Sequence, residues 1–155
     1  MGIDVRTIDE PQLKQTITER VLRDLPEWFG IEEAIVEYVQ QSQHMMFWAA
    51  YVLDRPVGFL ALLEHNRYTA EIYCMGIDKH FHHQGLGTSL VNASLADCRN
   101  KGREFLTVKT LDQSRPDKSY EKTRQFYLAM GFRPLEVFPT LWDEENPCLF
   151  MAKYL

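Results

Sequence analysis

The stretch HHQGLGTSL, residues 82–90, limits what this chain can fold into more than any other. Before it, AEIYCMGI at 70–77 is an apolar run of strand length; after it, Leu86, Leu90, Val91, Leu95 and Cys98 recur at helical spacing until Gly102. A glycine inside a helix costs about 1 kcal/mol against alanine, so Gly85 and Gly87 at the start of one need a backbone reason. Either the turn is only tight, or bare N–H groups at a helix start are kept free for an anion. A nucleotide P-loop is excluded, because Thr88 and Ser89 rather than a lysine follow Gly87. A dinucleotide fingerprint fails at its third glycine, where Leu90 stands. A strand, a short turn and a helix start facing a pyrophosphate fit best.

The remaining elements follow from spacing. IDVRTI at 3–8 predicts a first strand, and Asp9 as N-cap with Pro11 in the first turn predicts a helix carrying Leu13, Ile17, Val21 and Leu25. PEWFG links it to a second helix, about 31–42, with Ile31, Ile35, Tyr38 and Val39 on one face. MFWAAYVL and VGFLALLE, split by Asp54, Arg55 and Pro56, predict an antiparallel pair, and AEIYCMGI a third strand. Beyond the glycine turn come the strand FLTVKTL at 105–111, the polar loop DQSRPDKS at 112–119 and the helix YEKTRQFYLAM, ended by Gly131. FRPLEVF and PCLFMAKYL are the closing strands.

Composition narrows the class. A chain of 155 residues, 45% hydrophobic, holds one well-buried core and is short for two, so residues 1–155 are expected to form a single domain. With 17 basic against 22 acidic side chains the net charge is −5, which argues against nucleic acid as a partner and suits a cationic acceptor. Cys74, Cys98 and Cys148 are odd in number and far apart, which fits neither a disulfide framework nor a zinc site. No run nears the ~18 apolar residues of a membrane span and no signal pattern opens the chain. The expectation is a cytoplasmic protein with no membrane partner.

The turn His82, His83, Gln84, Gly85, Leu86, Gly87 resembles the Arg/Gln-x-x-Gly-x-Gly/Ala turn of the GNAT superfamily of acetyl-CoA-dependent N-acetyltransferases, with His82 departing at the first position. TRQFYLAMGF, residues 123–132, is similar to that family's late helix. The resemblance implies an α/β (α+β) fold: a mixed, mostly antiparallel central sheet of about seven strands flanked by about four helices. It implies acetyl-CoA as cosubstrate, its pyrophosphate on the backbone N–H groups of residues 83 to 88, Thr88 included. The pantetheine arm would pair with Met75, Gly76 and Ile77 as if it were an added strand. Tyr120 stands where an Asn often touches that arm.

Acetyl transfer to an amine needs a neutral amine, a stabilised oxyanion and a proton for the departing thiolate. By the resemblance Tyr127 is the general acid, and Glu71, placed like the Glu of an AEI segment in the histone acetyltransferase branch, is the base. The plainer readings are a solvent-facing Glu71 on a half-exposed strand and a Tyr127 that only packs. Glu27, Trp28 and Phe29, with Glu32 and Glu33, border the acceptor site in the family, and TLWDEENP with Trp142 forms its other wall. Acids and aromatics together suit a cationic amine. His80, His82 and His83 lack partners at metal-ligand spacing, so no metal is expected. The implied function is acetyl transfer to a primary amine, on a small molecule or a protein, by direct attack in a ternary complex. The alternative is a non-catalytic acyl-CoA-binding module. A homodimer is compatible with either.

Overall fold

A computed structural model describes residues 2–155. The order is β1 (Asp4–Thr7), α1 (Pro11–Arg23), α2 (Glu32–Ser42), β2 (Met46–Val52), β3 (Arg55–Glu64), β4 (Thr69–Ile77), α3 (Leu86–Asn100), β5 (Phe105–Leu111), α4 (Lys118–Ala129), β6 (Arg133–Asp143) and β7 (Asn146–Tyr154). The strands form one seven-stranded sheet in the order β1-β2-β3-β4-β5-β7-β6. Every pairing is antiparallel except β4 with β5, which are joined through α3. This is the mixed sheet with four helices that the resemblance implies.

Local chemistry places the helix ends. Asp9, expected as the cap of α1, is not the cap: Glu10 takes that position without a side-chain hydrogen bond, and Pro11 at the first helical position needs no N–H partner. The Asp117 carboxylate does cap α4, accepting from Tyr120 N at 3.0 Å, so that helix starts two residues before the apolar pattern suggests. Gly85 caps α3 at φ 85°, and Gly131 at φ 96° closes α4. The segment TLWDEENP is the end of β6 and the turn into β7, where the Asp143 carboxylate accepts from the backbone N–H of Glu145 and Asn146.

Each face of the sheet has its own core. Leu86, Leu90, Val91 and Leu95 of α3 pack on one face with Leu60, Ile72, Leu106 and Val108, joined by Tyr127 and Phe132. Ile17, Val21 and Leu22 of α1 and Ile35 of α2 cover Phe47, Phe59 and Cys74 on the other. Buried leucines of this kind contribute about 2 kcal/mol each through lost water contact. Two details of β4 shape the site. Its pairing with β5 stops at Ile72↔Val108, although β4 runs to Ile77 and β5 to Leu111. Opposite β3, Ile72 pairs with Leu62 and Cys74 with Ala61, which leaves Tyr73 as an extra, bulged residue.

Candidate active site

Where β4 and β5 part, a cleft of about 770 Å³ opens between Ile72–Ile77 and Val108–Thr110. One end is the glycine turn. The other is lined by Phe29, Tyr38, Tyr73 and Trp142. Among the described residues, none accepts a hydrogen bond from the backbone N–H groups of residues 83–88. Those donors include the first orphan groups of α3, where the helix dipole favours an anion. His83 (φ 62°) and Gly85 (φ 85°) adopt the left-handed backbone that turns the chain into the helix. Gly87 serves a different need: a Cβ there would stand 3.3 Å from the Phe126 ring.

His82, His83, Gly85, Leu86, Gly87 and Thr88 all line the cleft, with the Leu86 side chain buried in the core beneath it. Gln84 does not line it; its amide donates to His80 O at 3.3 Å. His82 is held by its own contacts. Its Nε2 donates to Ile77 O at 2.7 Å, and its ring meets Trp28 edge-on at 5.6 Å. Met75, Gly76 and Ile77 form the β4 wall, paired with β3 on one side and with no strand on the other. Gly76 is not a bulge: a Cβ there would stand 3.0 Å from Val21 Cγ1, so the glycine lets α1 pack close. Thr110, missed in the sequence, is buried and lines the cleft, and its Oγ1 has no partner among the described residues. An orphaned buried hydroxyl is costly unless something entering the cleft pairs with it.

α4 brings Tyr127 to the point of divergence. The residue is 5% exposed, with its ring 5.5 Å from those of Phe126 and Phe132. Its hydroxyl has no partner among the described residues. Burial pushes the phenol well above its ordinary value, with Cys74 and Tyr120 adding to the shift. It therefore remains a proton donor at neutral pH. Tyr120 also lines the cleft, but its hydroxyl donates to Trp28 O at 2.6 Å. In return the Trp28 indole N–H reaches Thr123 Oγ1 at 3.0 Å and Ser119 O at 3.2 Å. The α1–α2 loop is thus tied to the start of α4.

The acidic residues do not follow the aromatic ones into the cleft. Glu27 pairs with Lys79 at 3.1 Å, and Glu32 pairs with Arg23 at 2.8 Å, which holds its carboxyl below the usual range. Neither lines the cleft, nor does Glu33. Glu71 is not the solvent-facing strand residue of the plainer reading, being only 5% exposed. Its carboxylate accepts from Lys109 Nζ at 3.1 and 3.2 Å and lies 2.7 Å from His65 Nε2. Lys109 lines the cleft; Glu71 stands behind it. A lone lysine inside FLTVKTL was the available signal for that pair.

A splayed strand pair, with a turn of free N–H groups at one end of the cleft between its strands, fits an acyl-CoA-dependent transferase. A family model described as the acetyltransferase (GNAT) domain matches residues 43–134, and the chain belongs to that family of acetyl-CoA-using acetyltransferases. A putative GNAT acetyltransferase from Desulfovibrio desulfuricans is 21% identical with a TM-score of 0.82, covering 99% of each chain. An aminoglycoside 6'-N-acetyltransferase solved with coenzyme A is 21% identical at a TM-score of 0.75, over 99% of this chain and 97% of that one. Ard1 from Thermoplasma volcanium is 18% identical at a TM-score of 0.77, over 100% and 99%. At these identities the likeness is one of fold. A comparison with curated proteins gives no match. No helix among the described residues is long and apolar enough to cross a membrane.

Proposed function

We propose that the protein is an N-acetyltransferase that moves the acetyl group of acetyl-CoA to a primary amine by direct attack within a ternary complex. The observation that carries this is the cleft itself: free N–H donors at one end, the unpartnered Thr110 hydroxyl along it, and the Tyr127 hydroxyl where β4 and β5 separate. Acetyl-CoA supplies the acetyl group as a thioester. The turn at residues 83–88 holds the pyrophosphate, and the unpaired edge of Met75–Ile77 with Thr110 aligns the arm. The acceptor enters between Trp28, Phe29 and Trp142.

As the new N–C bond forms and the C–S bond breaks, Tyr127 gives its proton to the departing sulfur. The acceptor's proton goes to Glu71 by way of Lys109, which touches the cleft on one side and both carboxylate oxygens on the other. A proton taken up by Nζ is matched by one handed to Glu71, so the pair ends with one proton more. The test is thiol release from acetyl-CoA with a panel of amines, with the acetylated amine identified by mass. Amine-dependent release is expected. Tight acetyl-CoA binding with no release from any amine would leave an acyl-CoA-binding module instead.

A further inference from the structure

The acceptor end of the cleft differs from what acids and aromatics in the sequence suggest, and the difference bears on substrate. Its walls come from three elements. Phe29 lies in the α1–α2 loop, Tyr38 on α2 and Tyr73 on β4. Tyr38 meets Phe29 edge-on at 5.9 Å and Tyr73 edge-on at 5.3 Å, which makes a continuous corner of rings. Tyr73 reaches this corner because the β4 bulge falls on it. Trp142, 44% exposed, closes the opposite side from β6.

Among the described residues, no aspartate or glutamate lines the cleft. Lys109 and Lys122 line it, and both oxygens of Glu71 face the Lys109 ammonium. Of the nearby acids, Glu27 is engaged with Lys79 and Asp143 with its own turn, while Glu37, exposed on α2 and outside the cleft lining, is close enough to add to the burial-driven rise of the Tyr73 and Tyr38 phenols. A second ammonium on the acceptor would enter a ring-lined recess whose walls carry lysines and no carboxylate, and a charge without a partner on those walls is costly. A flat apolar body finds ring edges and faces instead.

We infer that the acceptor is a primary amine carried on an aromatic ring system with no second positive charge. The inference rests on the N-acetyltransferase reading above and names its substrate class. Phenethylamine, spermidine, kanamycin and a lysine-containing basic peptide, each at saturating acetyl-CoA, form the test panel. The expected result is a kcat/KM for phenethylamine at least about 10-fold above any of the polycations, the size of one good aromatic contact. Tyr38→Leu should narrow that ratio about 10-fold through KM, with acetyl-CoA affinity as the control. Phe29→Leu, at the rim, gives the same readout if the first variant does not fold. Preference for a polycation, or an unmoved ratio in a folded variant, overturns the inference and leaves amine acetylation standing. Silence with every amine overturns both.

Discussion

Replacing Tyr127 by phenylalanine separates chemistry from packing more cleanly than any other change in this cleft. The ring is wedged between Phe126 and Phe132, both centroids 5.5 Å away, and phenylalanine keeps that ring in place. Because the hydroxyl has no partner among the described residues, its removal breaks no internal hydrogen bond. Stability should therefore change by less than about 1 kcal/mol. The loss should fall on the thiolate's proton. General acids contribute roughly 10²- to 10⁴-fold, so kcat should drop by that factor, equivalent to about 3 to 5 kcal/mol on the barrier. Acetyl-CoA affinity should stay near wild type, since the glycine turn is untouched. Calorimetry for binding, thermal melting for stability and thiol release for turnover measure the three separately. Wild-type turnover in a folded, binding variant would remove Tyr127 from the proton path. A large fall in melting temperature would show a hydroxyl that holds the core, contrary to its unpartnered position.

The same logic extends to other residues. Gly85→Asp puts a carboxylate beside the N–H groups of Gly87 and Thr88, where it takes the place meant for a phosphate. The fold should tolerate it while the acetyl-CoA Kd rises at least about 10-fold; Gly85→Asn separates charge from the strain of φ 85°, and a wild-type Kd for the Asp variant would move the cradle elsewhere. Glu71→Gln should lower kcat most near neutral pH, recover in part at higher pH where more amine is free, and cost roughly 1 to 3 kcal/mol because Lys109 loses its anion. An unaltered pH profile would make Glu71 purely structural. Burial raises the phenols of Tyr38, Tyr120 and Tyr127 and lifts Tyr73 from 10.0 to about 12. Unfolded tyrosines ionise near pH 10, so above that the unfolded chain holds fewer protons than the native one. Stability is full below about pH 10 and falls as pH rises toward 12. Phenolate absorbance at pH 11 that shows all seven tyrosines ionised in the folded protein would contradict this.

Element order was legible because each change of hydrophobic period coincides with a change of element, and the buried face of α3 is the set of leucines that the spacing marks. The glycine turn was legible for a similar reason: positive φ and close approach to Phe126 leave few residues that fit. What failed was the face of individual side chains on β4. Alternation assigns sides by a period of two, and one bulged residue at Tyr73 breaks the count, so Glu71, Tyr73 and Cys74 could not be sorted by spacing. Ion pairs were equally hidden, since Glu27 and Lys79, or Glu71 and Lys109, meet only through the fold. The least legible feature is the one that joins the site. Trp28, read in the sequence as an acceptor wall, donates to α4, accepts from Tyr120 and rests its ring against His82. Residues assigned separately to acceptor and cosubstrate are therefore one hydrogen-bonded unit across the cleft. In such a unit Trp28→Phe keeps a ring against His82 but gives up the one indole N–H that Thr123 and Ser119 of α4 share, at about 1 kcal/mol in all. Its effect should reach the KM of both substrates, whereas a wall that touched only the acceptor would move one. Steady-state kinetics with each substrate varied in turn would distinguish these, and a change confined to the amine KM would mean that the tie to α4 carries no weight in cosubstrate binding.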